Sequence, residues 1–269
     1  MKVAVVGHVE WIEFVRVAHV PAQGEIVHAQ EVWAEAAGGG AVAAVQLARL
    51  VGASTLFTAV GDDELGRRVE PALGEYGVTV HAAVRPEPQR RGFTFLDATG
   101  ERTITVIGER LGPRRSDDLP WDELAEADGV YFVSGDAAAV RAARAGKVLV
   151  ATARSLAALR EARVPLDALV RSRNDEGETY RTGDLDPAPR LDVATVGQLG
   201  GSYTVESGGP SHYQAVPVPG PVEDTYGAGD SFAAGLTYGL AEGLAVDDAI
   251  ALGARTGAAA LARRGAHGS

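Results

Sequence analysis

The residues of this 269-residue chain best placed to do chemistry are Asp224-Thr225-Tyr226-Gly227-Ala228-Gly229-Asp230-Ser231-Phe232, followed by the helix-forming run Ala233–Leu240. Three small residues in a row let a ligand approach the backbone, because no large side chain stands in the way. The amides of Gly227, Ala228 and Gly229 then lie at a helix N-terminus, where unpaired N–H groups and the helix dipole favour an anion. Asp230 falls in the first helical turn beside that anion site. A carboxylate there can accept a proton from a hydroxyl group that attacks a phosphoryl group. The plain alternative is a tight strand-to-helix turn in which Asp230 is an ordinary helix-start residue.

The surrounding pattern supplies the elements to position such a turn. Lys2–Val6, Ser54–Val60, Val78–Ala83, Gly129–Val133, Val148–Ala151 and Leu191–Val196 read as strands. Helical stretches separate them, among them Ala41–Leu50 and a helix opening at Gly61-Asp62-Asp63-Glu64 and running to about Tyr76. Acidic residues suit that helix start as caps. Such alternation predicts an α/β fold with a mostly parallel sheet and helices on both faces. Two stretches interrupt it. Phe14–Glu31 holds Pro21 and Gly24, and Gly92–Ile107 reads as a hairpin turning at Asp97-Ala98-Thr99-Gly100. Together they predict a small separate sheet. A late hairpin is expected from Ser202–Glu206 and His212–Val216, and a surface loop at Arg181–Arg190.

Composition excludes several function classes. The formal net charge is -11, and Lys2 and Lys147 are the only lysines. An acidic surface argues against nucleic acid as the main partner. With no Cys, disulfides and Cys-ligated metal sites are ruled out. The six His show no helical pair spacing for a metal. No apolar run reaches the ~18–20 residues of a membrane span, and the chain enters its first strand without a basic leader, so a cytoplasmic protein is expected. Gly7-His8-Val9-Glu10 lacks the glycine-rich turn of a dinucleotide-binding oxidoreductase.

Asp224–Asp230 resembles the Asp-Thr-x-Gly-Ala-Gly-Asp motif of the ribokinase-like (PfkB) carbohydrate kinases, and the resemblance runs along nearly the whole chain. Pro21 with Gly24-Glu25 is similar to the family's Pro-x-x-Gly-Glu segment. Gly38-Gly39-Gly40 resembles its Gly-Gly segment, and Val60–Gly66 its Val-Gly-x-Asp-x-x-Gly stretch. Gly100–Ile104 looks like its lid hairpin, Thr195–Gly200 its nucleotide-side Thr-x-Gly-x-x-Gly, and Arg264–Ser269 its late cation-binding loop. The resemblance implies a single ribokinase-like domain over residues 1–269, a three-layer sandwich whose β-sheet lid is built from residues 14–31 and 90–107. It implies Asp230 as general base, with Gly227, Ala228 and Gly229 as the anion hole. Thr195, Gly197 and Gly200 would border ATP, and Mg²⁺ would accompany the triphosphate. Asp224 and Ser269 would help to hold a monovalent cation such as K⁺. Gly38 and Gly39 would border a sugar or nucleoside, and the lid could pair two copies as a homodimer.

Three positions depart from the family pattern. The substrate-binding Asp expected five residues after Gly7 is Ile12, flanked by Glu10 and Glu13, either of which could replace it. The Asn expected after the Gly-Gly segment is Val42. In Asn174-Asp175-Glu176-Gly177-Glu178 the Glu position of the family's Asn-x-x-Glu motif holds Gly177, leaving Glu176 or Glu178 beside Asn174 to serve phosphate and Mg²⁺. Lost hydroxyl partners change which acceptor fits. A more apolar pocket using Trp11, Val42 and Phe93 is one expectation, and a second phosphate met by Arg90, Arg91 or Arg102 is another. The leading expectation is a kinase acting on a primary hydroxyl. A non-catalytic sugar- or nucleotide-binding protein of the same fold is the alternative.

Overall fold

Val3–Val6 (β1) is an all-apolar run buried on both faces, as the centre of a parallel sheet requires. The computed structural model describes residues 1–206 and 208–268. From the N-terminus, β2 (Glu10–Arg16) and β3 (Glu31–Ala37) precede α1 (Gly39–Val51), β4 (Ser54–Gly61), α2 (Glu64–Gly74) and β5 (Val78–Arg85). Next come β6 (Arg91–Leu96), β7 (Arg102–Ile107), β8 (Gly129–Phe132), α3 (Ala137–Ala143), β9 (Val148–Thr152) and α4 (Leu156–Ala162). The chain ends with β10 (Ala168–Ser172), β11 (Leu191–Thr195), β12 (Gly201–Val205), β13 (Ser211–Tyr213), α5 (Ala228–Ala241) and α6 (Val246–Leu261).

Nine strands form one sheet in the order β13-β12-β11-β10-β9-β8-β1-β4-β5. From β5 to β11 the neighbours run parallel; only β12 and β13 pair antiparallel. Alternation along β1 splits the core. Val3 and Val5 face the layer of α1, α2, α5 and α6, while Ala4 and Val6 face α3, α4 and Trp121. Among the described residues no helix is long and apolar enough to cross a membrane.

The small sheet has four strands in the order β3-β2-β6-β7. Its first pair differs from the expected 14–31 segment: the strands cover 10–16 and 31–37, and the stretch with Pro21 and Gly24 is the loop between them. Proline cannot donate to a ladder and the Gly24 φ is 83°, so that segment turns instead of pairing. The β6–β7 hairpin forms as expected, with Asp97 accepting from the amides of Thr99 and Glu101 in its turn. Strand β10 has no counterpart among the expected strands. Its apolar run is only Ala168-Leu169-Val170, too short to stand out from the preceding loop. Asp63 caps α2 through Gly66 N–H at 2.8 Å, whereas Asp62 stays at the surface near Arg67.

Candidate active site

Helix α5 begins on a turn that only glycine adopts without strain. Gly227 is its N-cap with φ 75°, and a Cβ there would lie 2.8 Å from Val42 Cγ1 on α1. The first hydrogen bond into the helix runs from Ser231 N–H to Gly227 O, 2.9 Å. The amides of Ala228, Gly229 and Asp230 therefore precede the helical ladder and point their free dipole end outward. Asp224 holds this turn from below. It is fully buried, and its carboxylate accepts from Tyr226 N–H (2.7 Å) and Gly265 N–H (3.1 Å). Burial pushes its pKa up to about 6 against those two bonds. Glu35 of β3 anchors the same late loop by accepting from Ala266 (2.7 Å) and His267 (3.2 Å) N–H groups. We expect Asp224→Ala to destabilise the fold by about 2–4 kcal/mol, because two buried N–H groups lose their acceptor. Denaturant unfolding checks this; a change under 0.5 kcal/mol or so would contradict it.

Asp230, in the first turn of α5, keeps partial solvent access. Gly39, the first residue of α1, lies against it: a Cβ there would be 2.9 Å from Asp230 Oδ1. Gly38 N–H donates to the Tyr226 hydroxyl at 3.0 Å, fastening the start of α1 to the α5 turn. Removal from water raises the Asp230 pKa to about 6; the Glu178 charge adds to this, and Arg154 and Arg102 oppose it. Arg102 of β7 donates to Thr225 O (2.6 Å), so the small sheet closes directly onto the α5 turn.

A cleft of about 420 Å³ opens on the other flank of the α5 N-terminus. Thr195, Gly197 and Gly200 border it on one side, Ala228 and Gly229 on the other, and Tyr213, Val216 and Phe232 give it apolar walls. Gly200 has φ 81°, and a Cβ would press on Ala215 N at 2.8 Å. A flat apolar group can enter there with an attached anion directed at the amides.

A family model described as pfkB family carbohydrate kinase matches residues 1–173 and 195–269. The chain belongs to this family. No curated protein matches it. Solved structures agree on the fold. A putative ribokinase from Agrobacterium tumefaciens is 23% identical with TM-score 0.81, covering 97% of this chain and 91% of its own. Arabidopsis thaliana ribokinase complexed with ribose and ATP is 20% identical, TM-score 0.74, covering 98% and 93%. Adenosine kinase from Sinorhizobium meliloti is 20% identical, TM-score 0.75, covering 97% and 94%.

Within this pfkB-family fold the residues singled out from the sequence separate clearly. Glu10 points inward beside Asp230, half-enclosed by Arg90 (Nε to Oε1 2.8 Å) and His8 (3.6 Å). Burial raises its pKa, and Arg90, Arg110 and Arg154 pull it back. Glu13 does not join it. Strand alternation turns Glu13 to the outer face of the small sheet, where it pairs with exposed Arg91 at 2.9 Å. Ile12 and Val42 are buried with Phe14, Leu96 and Tyr226 in one apolar cluster. Val42 therefore packs beneath Gly227, where the expectation had it contacting substrate. Trp11 and Phe93 leave the expected apolar pocket too: Trp11 lies in the main core under Arg68, and Phe93 packs edge-on to Phe95.

The segment 174–194 lies outside the family match, and it is where the Asn-x-x-Glu pattern departs. A short 3₁₀ turn at Glu176–Glu178 decides which carboxylate turns inward. It leaves Asn174 and Glu176 exposed and brings Glu178 inward, accepting from Ser172 N–H and pairing with Arg154 Nε at 2.8 Å. Burial raises the Glu178 pKa. The predicted cation ligand Ser269 lies outside the described residues. His8, Arg110, Arg154 and Ser134 escaped the sequence reading. They gather around Glu10 and Asp230 from separate elements, so no local spacing could have flagged them.

Proposed function

We propose that this protein is an ATP-dependent kinase that transfers the γ-phosphoryl group to a hydroxyl of a sugar or nucleoside-like acceptor. The observation that carries the reading is one helix N-terminus that serves two sides: Ala228 and Gly229 line the cleft beside Thr195, and Asp230, the next residue, faces Gly39 at the start of α1. ATP fits the cleft lined by Ala228 and Gly229, with its adenosine against the apolar wall that Tyr213 and Phe232 form and its phosphates at the α5 amides. Asp230 then faces the in-line acceptor hydroxyl and takes its proton as the oxygen attacks. The amides of Ala228 and Gly229 meet the charge on the transferring group, and Gly39 leaves room for the base beside it. His8 is neutral, its pKa lowered to about 3 by burial and by Arg110, so it orients by hydrogen bonding to Ser134 (3.2 Å) without adding charge.

The donor set suits Mg²⁺ carried in on the triphosphate. Among the described residues no group of three His, Cys, Asp or Glu could hold a metal by itself; Glu178 turns inward with its oxygens engaged by Ser172 N–H and Arg154. Mg²⁺ would supply charge neutralisation at the phosphates. For a monovalent cation the fit is poorer, since both Asp224 oxygens are already engaged by backbone N–H groups. The outer face of the small sheet, with Val32 and Ile107 exposed, is the surface that would pair two copies as a homodimer.

An ATP-consumption screen over sugars and nucleosides tests the reading. Turnover with at least one acceptor supports it; binding without turnover for every ligand supports a non-catalytic binding protein. The rate should also fall in acid. A base active only when ionised, with a pKa raised to about 6, gives kcat/KM an acid limb near pH 6. A limb at the ordinary carboxylate value near 4 would contradict the desolvated base.

A further inference from the structure

A cleft of about 410 Å³ is lined by Arg85, Arg110, Arg114 and Arg154 with Ser134 and Gly135, and through Arg110 and Arg154 it comes within electrostatic reach of Asp230. None of its lining residues also lines the nucleotide cleft, which opens beyond β11 and α6. Two of these four arginines are already matched inside the protein. Arg85 grips Asp117 with two bonds of 2.8 and 2.6 Å. Arg154 pairs with Asp175 and Glu178, and Arg90 with Glu10. Arg110 and Arg114 are exposed, and neither side chain makes a hydrogen bond or ion pair to another described residue. Arg114 stands beside Asp117, whereas Arg110 is the one near Asp230 and Glu10, with the like charges of Arg90 and Arg154 around it. Of the nearby carboxylates, Glu10 is taken by Arg90, Asp230 is the base, and exposed Asp136 accepts from the amides of Ala139 and Arg115 through Oδ1. Glu87 and Glu109 stand exposed at the rim.

We propose that this cleft takes an acceptor bearing its own oxyanion, a phosphate or a carboxylate, and that Arg110 binds that group. The proposal rests on the kinase reading and narrows its substrate class. A guanidinium presents a planar fork that matches either oxyanion. In the reaction the acceptor oxygen forms a bond to phosphorus, the bond to the ADP oxygen breaks, and the hydroxyl proton passes to Asp230. The oxyanion held by Arg110 is unchanged.

Matched pairs test it: fructose 6-phosphate against fructose, and a hexonate against its hexose, each in ATP turnover and in calorimetric binding. Arg110→Gln is compared with wild type, and Arg141→Gln on the exposed side of α3 is the control. The expected result is preference for one anionic member, with Arg110→Gln raising its KM and Kd by on the order of 10- to 100-fold. KM for ATP and all values for Arg141→Gln stay unchanged. The phosphate and hexonate arms tell which oxyanion is meant. Preference for the neutral members, or an Arg110→Gln effect on ATP alone, overturns the proposal while leaving the kinase reading intact. Anion binding that depends on Arg110 without any turnover upholds the oxyanion site and sinks the kinase reading. Absence of both binding and turnover for the anionic members sinks the proposal.

Discussion

Asp230→Asn lowers kcat by on the order of 10²- to 10⁴-fold while the Kd for ATP stays nearly constant. The amide keeps the shape of the side chain but cannot take the proton of the acceptor hydroxyl. Nucleotide affinity is spared because the ATP cleft is walled by Tyr213, Phe232 and the α5 amides, none of which the substitution changes. The same substitution stabilises the protein at neutral pH. Folding raises the Asp230 pKa to about 6 from an unfolded value near 3.8, so the folded state binds the proton more tightly. Stability from this group is full below pH ~4 and is lost as pH rises through ~6. At pH 7.5 the ionised carboxylate costs about 1–2 kcal/mol after allowing for its partial solvent access. Asp230→Asn should therefore melt higher than wild type at pH 7.5, and the gap should close below pH ~4. A variant that melts lower at pH 7.5 would show that the carboxylate is not desolvated.

Gly227→Val has the second largest effect, on both stability and rate. A β-branched residue at φ 75° is strained by about 1–3 kcal/mol. Its Cβ would also lie 2.8 Å from Val42 Cγ1, a contact the buried cluster of Ile12, Phe14 and Tyr226 cannot yield without moving. The α5 turn must shift, and an anion hole out of place costs about 10²- to 10³-fold in kcat. Adding Val42→Ala should restore part of the stability by removing the contact, though not the backbone strain. Equal stability for the single and double variants would mean that Val42 does not press on this turn.

The anion turn was legible because its requirement is local. Gly227, Ala228, Gly229 and Asp230 need only a strand-to-helix turn to act together, and the small residues announce it. The parallel sheet was legible for the same reason: all-apolar runs such as Val3–Val6 have few other places to go. What surrounds Asp230 was not. Glu10, Arg90, Arg110 and Arg154 converge from β2, two different loops and the end of β9, and only the three-dimensional crossing brings them together. Glu10 and Glu13 look interchangeable in sequence, yet strand alternation sends one to the cleft and the other to Arg91. Glu176 and Glu178 likewise differ only through a single 3₁₀ turn. Ile12 and Val42 stood out as departures, but their shared burial under Tyr226 depends on α1 and β2 packing against α5.

In the proposed reaction Asp230 and the α5 amides move a phosphoryl group from ATP to the acceptor hydroxyl. Transfer of label from γ-labelled ATP to acceptor, at saturating ATP, tests it most directly in wild type and Asp230→Asn. The predicted result is labelled acceptor from wild type and at least a ~100-fold slower appearance from the variant, with ATP binding retained. Equal transfer rates in the two proteins would contradict the claim.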